Sequence, residues 1–189
     1  MPETISYSDL RRGTVIELDG EPYQVVDWKH VIMQQRTPVL SLKLRHLRTG
    51  KVLERNLPGY TRLTLAEVES REAQYLYYDG HAYIFMDTQT YDQFPLTQEQ
   101  IGEGAQFMKE GLVVKVVYYK GQPVTVELPN FVELQVRETA PAFKGDTAQS
   151  GRKPATLETG AIIKVPMHVQ VGDIVKVDTR SGEYIETVS

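Results

Sequence analysis

No cysteine occurs anywhere in the 189 residues. Disulfides and thiolate metal sites are therefore excluded, and the composition suits a reducing compartment. No run of about 18 apolar residues occurs, so no membrane-spanning helix is expected. The opening stretch, Met1-Pro-Glu-Thr-Ile-Ser-Tyr7, lacks a basic segment followed by an apolar one and does not read as a secretory leader. A cytoplasmic protein with no membrane partner is the expectation. Catalytic motifs are missing too. There is no Gly-x-Ser-x-Gly, no Gly-x-x-x-x-Gly-Lys-Ser/Thr and no Gly-x-Gly-x-x-Gly. Histidine is scarce. His30, His46, His81 and His168 neither pair at i, i+4 nor have acidic neighbours at ligand spacing, so no metal and no cofactor is predicted. Carboxylates are plentiful, yet nothing singles out an acid–base pair. No catalytic residue can be named, and the chain reads as a non-enzyme.

The net charge of −4 argues against a strongly basic nucleic-acid binder. Its distribution is uneven. Residues 1–64 hold ten Lys+Arg against seven Asp+Glu, a net +3; residues 65–128 hold four against ten, a net −6; residues 129–189 hold seven against eight, a net −1. An acidic chain can still meet RNA through a local basic face, because phosphate contacts are short-ranged under screening. Surface solvation alone would also explain the asymmetry.

What the sequence has in quantity is hairpin punctuation. Asp19-Gly20 separates Thr14–Leu18 from Tyr23–Val26, and Asp79-Gly80 separates Gln74–Tyr78 from Tyr83–Met86. Lys120-Gly121 separates Val113–Tyr119 from Val124–Leu128, and Ser181-Gly182 separates Ile174–Val177 from Tyr184–Val188. Such pairs suit type I′ turns, whose two central residues need positive φ. Thr49-Gly50 offers a fifth turn after Ser41–Leu47. Leu40, Leu42 and Leu44 alternate with Ser41, Lys43 and Arg45, the period-2 pattern of a half-buried antiparallel strand. Helix signals are few. Thr97-Gln-Glu-Gln100 has the capping-box pattern and predicts a short helix through Ile101, whereas Leu65–Ala73 reads as extended. Breaks near Pro58–Leu65 and Leu128-Pro129-Asn130 divide the chain into residues 1–64, 65–128 and 129–189. Each segment suits a small closed barrel.

Lys153–Gly172 carries the most specific pattern. Taken physically, residues 145–166 read as a polar loop and then a strand that ends at a proline. The stretch also resembles the signature of bacterial elongation factor P at Lys153, Ala155, Gly160, Ile163, Val165, Pro166, Val169 and Gly172. Leu18-Asp-Gly-Glu-Pro-Tyr23, Tyr75-Leu-Tyr-Tyr-Asp-Gly80, Phe85-Met-Asp87, Pro129-Asn-Phe-Val-Glu-Leu134, Lys144-Gly-Asp-Thr147 and Val177-Asp-Thr-Arg-Ser-Gly-Glu-Tyr184 resemble further family phrases. The resemblance spans nearly the whole chain.

It implies an all-β protein of three small barrels in tandem, a KOW/SH3-like barrel followed by two OB-folds, arranged in an L shape. It also implies a monomeric translation elongation factor that binds the 70S ribosome between the peptidyl and exit sites. There it would position peptidyl-tRNA and promote peptide-bond formation at consecutive prolines. The first-domain loop, residues 32–38, would approach the CCA end of the tRNA with Gln34, Gln35 and Arg36. Lys29, Lys43, Arg45, Arg180 and Tyr184 would be candidate contacts to tRNA or rRNA. Gly145, Asp146 and Thr147 would lie near the mRNA codon in the exit site. Each of these has a plainer reading, as solvated strand face, packed aromatic or loop closure.

The sequence departs from the family at two places. The family loop is Gly-flanked and carries Lys or Arg at its tip; Ile32-Met-Gln-Gln-Arg-Thr-Pro38 has no glycine and places Gln35 there. Gln35 lacks the amine or guanidinium that the family's tip modifications need, whereas Arg36 has one. Three readings of the loop stand open: an unmodified Gln35/Arg36 tip, modification at Arg36, and a divergent paralogue with altered selectivity. At the far end, Thr187 stands where the family often has a basic residue. Outside the family reading, a general OB-fold RNA-binding module fits the composition. Against it, the third segment shows no evident cluster of aromatics for base stacking.

Overall fold

The computed structural model describes residues 2–141 and 151–188. Nearly every regular element is a strand, and the strands form three antiparallel sheets in chain order. The first contains β1 (Thr4–Ile5), β2 (Val15–Leu18), β3 (Glu21–Val31), β4 (Val39–His46), β5 (Val52–Pro58) and β6 (Leu63–Leu65), in the order β1-β6-β2-β3-β4-β5. The second contains β7 (Val68–Tyr78), β8 (Tyr83–Asp87), β9 (Gln93–Leu96), β10 (Val113–Tyr119) and β11 (Gln122–Glu127), in the order β11-β10-β7-β8-β9. The third contains β12 (Phe131–Thr139), β13 (Arg152–Leu157), β14 (Ile162–Pro166), β15 (Ile174–Asp178) and β16 (Tyr184–Thr187), in the order β14-β13-β12-β15-β16. Residues 66–73 are extended, and most of them belong to β7.

Each sheet curls around its own apolar centre. Leu40, Leu42 and Leu44 point inward with Ile16 and Val25, as their alternation requires. Phe85 and Val116 centre the second core. Leu134, Leu157, Val165 and Val175 centre the third. Two junctions join the cores. Leu47, just after β4, packs on Val117, Tyr119 and Val124 of the second sheet. Phe107, from the second segment, is buried in the third core, and Lys109 pairs with Glu158 at 3.2 Å across the same junction.

The turns follow two designs. Asp19-Gly20 and Lys120-Gly121 have both central residues at positive φ, as the I′ reading requires. Asp79-Gly80 and Ser181-Gly182 do not; only Gly80 and Gly182 are positive, and the connections are longer. The physical reason is the residue that starts the turn. At 46–51, 87–92 and 178–183 the first residue's amide donates to the carbonyl five residues on, at 2.8, 2.9 and 2.9 Å. The fifth residue, Gly50, Tyr91 or Gly182, takes positive φ. The first side chain then accepts amide hydrogens inside the turn: His46 Nδ1 from Arg48 and Thr49, Asp87 Oδ1 from Gln89 and Thr90, and Asp178 Oδ1 from Arg180. A short polar side chain that mimics the backbone in this way favours a four-residue loop. At 79–82 the Asp79 carboxylate likewise accepts from the His81 and Ala82 amides.

The short helix α1 (Gln98–Ile101) forms where the capping box lies, with the Gln100 amide donating to Thr97 Oγ1 at 3.2 Å. A second difference concerns β13, which runs through residues that read as polar loop. Its inward positions are Lys153, Ala155 and Leu157, and the lysine breaks the apolar alternation. Lys153 is 5% exposed, and its ammonium donates to the Ala140 carbonyl. A buried lysine with a carbonyl partner thus closes one end of the third core. Its charge is what hid the strand from sequence pattern.

Candidate functional site: the tip loop and its aromatic base

β3 and β4 run side by side to the pair Val31–Val39, and Ile32–Pro38 joins them. The loop is tightened by one turn, in which the Arg36 amide donates to the Met33 carbonyl at 3.1 Å. Gln35 takes φ +63°, the left-handed conformation that side chains disfavour by about 1–2 kcal/mol. Gln35 thus occupies the backbone geometry that a glycine would fill. Gln34, Gln35 and Arg36 are all exposed, and so are Ile32 and Met33 beside them. The tip therefore offers one guanidinium, two amides and two apolar side chains to a partner.

The loop base is fixed on one side. The Gly59 amide donates to the Pro38 carbonyl at 2.8 Å, and Thr61 closes a turn on Pro58 through its amide at 3.0 Å and its hydroxyl at 2.6 Å. This turn carries Tyr60. Its ring meets His30 edge-on at 5.4 Å, and His30 is stacked on Tyr7 at 3.7 Å with 7° between the planes. His30 Nε2 is buried without a hydrogen-bond partner among the described residues, so the imidazole acts here as a packing surface. Sequence reading missed this cluster. Tyr7, His30 and Tyr60 lie far apart in the chain, and no local spacing links them.

The other expected contacts fall in different settings. Asp27 pairs with Lys43 across β3 and β4, Lys29 with Ser41, and Lys43 with Glu54 across β4 and β5. Lys29 and Lys43 therefore share the exposed outer face of this sheet with Asp27 and Glu54, a patch with no net charge. Arg45 is partly buried at the junction with the second sheet. Its Nη1 donates to Gln24 Oε1 at 3.3 Å, and the guanidinium covers Gly102. Burial lowers its pKa, and nearby Glu103 acts against that shift.

In the third sheet, Arg180 binds Asp178 through Nε at 3.0 Å and Nη2 at 2.8 Å. These hydrogen bonds hold the Asp178 carboxyl below the usual carboxylate range and raise Arg180. Phe131 is 42% exposed, with Lys176 Nζ 4.9 Å and Arg180 Cζ 5.5 Å from its ring centre. Sequence reading did not single out this aromatic with two cations. Tyr184 is half-buried against the third core, and its hydroxyl lies 2.8 Å from Thr187 Oγ1. Gly145, Asp146 and Thr147 lie outside the described residues. Among the described residues no group of three or more His, Cys, Asp or Glu is placed to hold a metal ion. Among the same residues no helix is long and apolar enough to cross a membrane.

Comparison with known proteins is consistent along the chain. Residues 6–59 match the elongation factor P KOW-like domain, residues 68–126 the elongation factor P OB domain, and residues 132–187 the elongation factor P C-terminal domain. The chain is 51% identical to "Elongation factor P" of Thermodesulfovibrio yellowstonii over 184 residues, covering 97% of this chain and 98% of that protein. It is 50% identical to "Elongation factor P" of Carboxydothermus hydrogenoformans, covering 97% and 100%. It is 49% identical to "Elongation factor P" of Aquifex aeolicus over 188 residues, covering 100% and 98%.

Proposed function

The chain belongs to the elongation factor P family of translation elongation factors, and from that premise we propose that it binds the 70S ribosome between the peptidyl and exit sites as a cytoplasmic monomer. The tip loop meets the CCA end of the peptidyl-tRNA there, and peptide bonds between consecutive prolines form faster. The observation that carries this reading is the loop itself. An anchored hairpin raises an exposed Gln34-Gln35-Arg36 turn on the first segment, the one with net positive charge.

The mechanism is positional. Proline is a constrained nucleophile, and its reaction suffers when the peptidyl-tRNA wanders from the reactive geometry. A factor that holds the acceptor end lowers the entropic part of the barrier and leaves the bond-making to the ribosome. The protein itself then needs no catalytic group. Arg36 is the residue suited to phosphate, through charge-assisted and bidentate hydrogen bonds. Gln35 shapes the backbone, and its amide can add a neutral hydrogen bond. The tip works unmodified in this reading. Residues 145–147 would face the mRNA codon in the exit site.

A second reading, an RNA-binding module that acts on free RNA, draws support from Phe131 flanked by Lys176 and Arg180. Co-sedimentation separates the two. The ribosome reading predicts that the protein pellets with 70S particles carrying peptidyl-tRNA and binds short RNA oligomers weakly. Tight binding to free oligomers with none to ribosomes would overturn it.

A further inference from the structure

We infer that Tyr60, backed by His30 and Tyr7, is a stacking platform for an unpaired nucleobase of the RNA end that the tip loop holds. The inference deepens the proposed function and rests on it for the identity of that RNA. The geometry stands on its own. Tyr60 is 68% exposed although its ring adjoins two others, so packing does not account for its position. Its hydroxyl has no hydrogen-bond partner among the described residues, so it is not tethered as a polar anchor. Its backbone is held instead, by the turn from Pro58 to Thr61 and by the Gly59–Pro38 hydrogen bond. A rigidly mounted, exposed ring with aromatic support behind it is the arrangement on which unpaired bases stack.

Distance limits which bases can be reached. Gln35 lies three residues from Pro38, and a chain spans at most about 3.3–3.6 Å per residue, so the tip is within about 11 Å of Pro38, whose carbonyl accepts from the Gly59 amide beside Tyr60. A stacked strand advances about 3.4 Å per nucleotide. The loop base that carries the platform therefore lies within about three nucleotide steps of the nucleotide at Gln35–Arg36, the scale of the unpaired acceptor end of a tRNA.

The test is a set of equilibrium titrations of ribosomes carrying peptidyl-tRNA with full-length wild type, Tyr60→Ala and Tyr60→Phe. The tRNA is either intact or abasic at each of its last three nucleotides in turn. Thermal unfolding of each variant checks that it is folded. Base stacking predicts that Tyr60→Ala binds about 5- to 150-fold more weakly and that Tyr60→Phe binds like wild type. One abasic position should weaken wild type to the level of Tyr60→Ala while leaving Tyr60→Ala unchanged. Failure of wild type to bind any of these ribosomes would refute the proposed function itself. Wild-type binding that Tyr60→Ala leaves intact would overturn the platform alone. So would a Tyr60→Phe defect equal to that of Tyr60→Ala, which assigns the effect to the hydroxyl. A Tyr60→Ala defect that couples to none of the three abasic positions would overturn the acceptor-end assignment.

Discussion

The Gly59 amide donates to the Pro38 carbonyl at 2.8 Å, which ties the base of the tip loop to the turn that carries Tyr60. Gly59 can come this close because it has no side chain. An added Cβ would lie 2.5 Å from Pro38 Cβ and 2.8 Å from its carbonyl carbon. Gly59→Ala should therefore force the two turns apart and cost about 1–3 kcal/mol of stability, as overpacking does. Urea denaturation checks the cost. Amide hydrogen exchange should be faster at residue 59, the donor of this bond, and at residues 36, 37 and 39, because the contact that closes the loop is weakened.

The backbone at Gln35 makes a separate prediction about the tip. With φ at +63°, Gln35→Gly should keep the loop shape and gain up to about 1 kcal/mol, whereas Gln35→Pro, locked near −65°, should break the turn. In a Pro-Pro-Pro translation assay Gln35→Gly should retain most rescue and Gln35→Pro should lose it. Arg36→Ala should weaken rescue more than Gln35→Ala, because of the two only Arg36 carries a guanidinium able to pair with phosphate. Equal rescue by Arg36→Ala and wild type would remove the proposed role of Arg36.

Phe107 joins the second segment to the third core, where it is 3% exposed. Phe107→Ala should cost about 3–5 kcal/mol, the range for truncating a buried aromatic. The loss should fall on the third sheet and its junction, not on the first. Calorimetry should show a separate, earlier transition, and proteolysis should cut first near that junction.

Acid should weaken the turns. Backbone amides of Thr90 and Gln89 hold the Asp87 carboxyl below the usual range, and Arg180 does the same for Asp178. A carboxylate whose folded pKa is depressed contributes stability that is complete above its unfolded value, near 3.9, and is lost as pH falls through the folded value. The denaturant midpoint should thus stay level from about pH 7 to 5 and drop below that. Asp87→Asn should lower the neutral plateau and flatten the acid limb.

The strand pattern was largely legible in the sequence because antiparallel strands advertise themselves through alternation and glycine turns. Leu40, Leu42 and Leu44 face the core as their spacing implied, and Asp19-Gly20 makes the expected turn. What stayed hidden depended on contacts between distant residues. Lys153 at an inward position concealed β13, because a buried charge satisfied by a distant carbonyl has no local signature. The Tyr7–His30–Tyr60 cluster was invisible for the same reason: three rings from three separate stretches meet only after the first sheet folds. Side-chain capping by Asp79 and Asp178 lengthened turns that Gly80 and Gly182 alone would have suggested were short.

The central claim is that this chain, with an unmodified tip, relieves stalling at consecutive prolines. The most direct measurement is in vitro translation of a Pro-Pro-Pro reporter with recombinant protein whose tip peptide has the unmodified mass. The account predicts full-length product well above the factor-free control, without added enzymes. Stalling unchanged by folded, unmodified protein but relieved by protein from its native host with a mass shift on the tip peptide would contradict it.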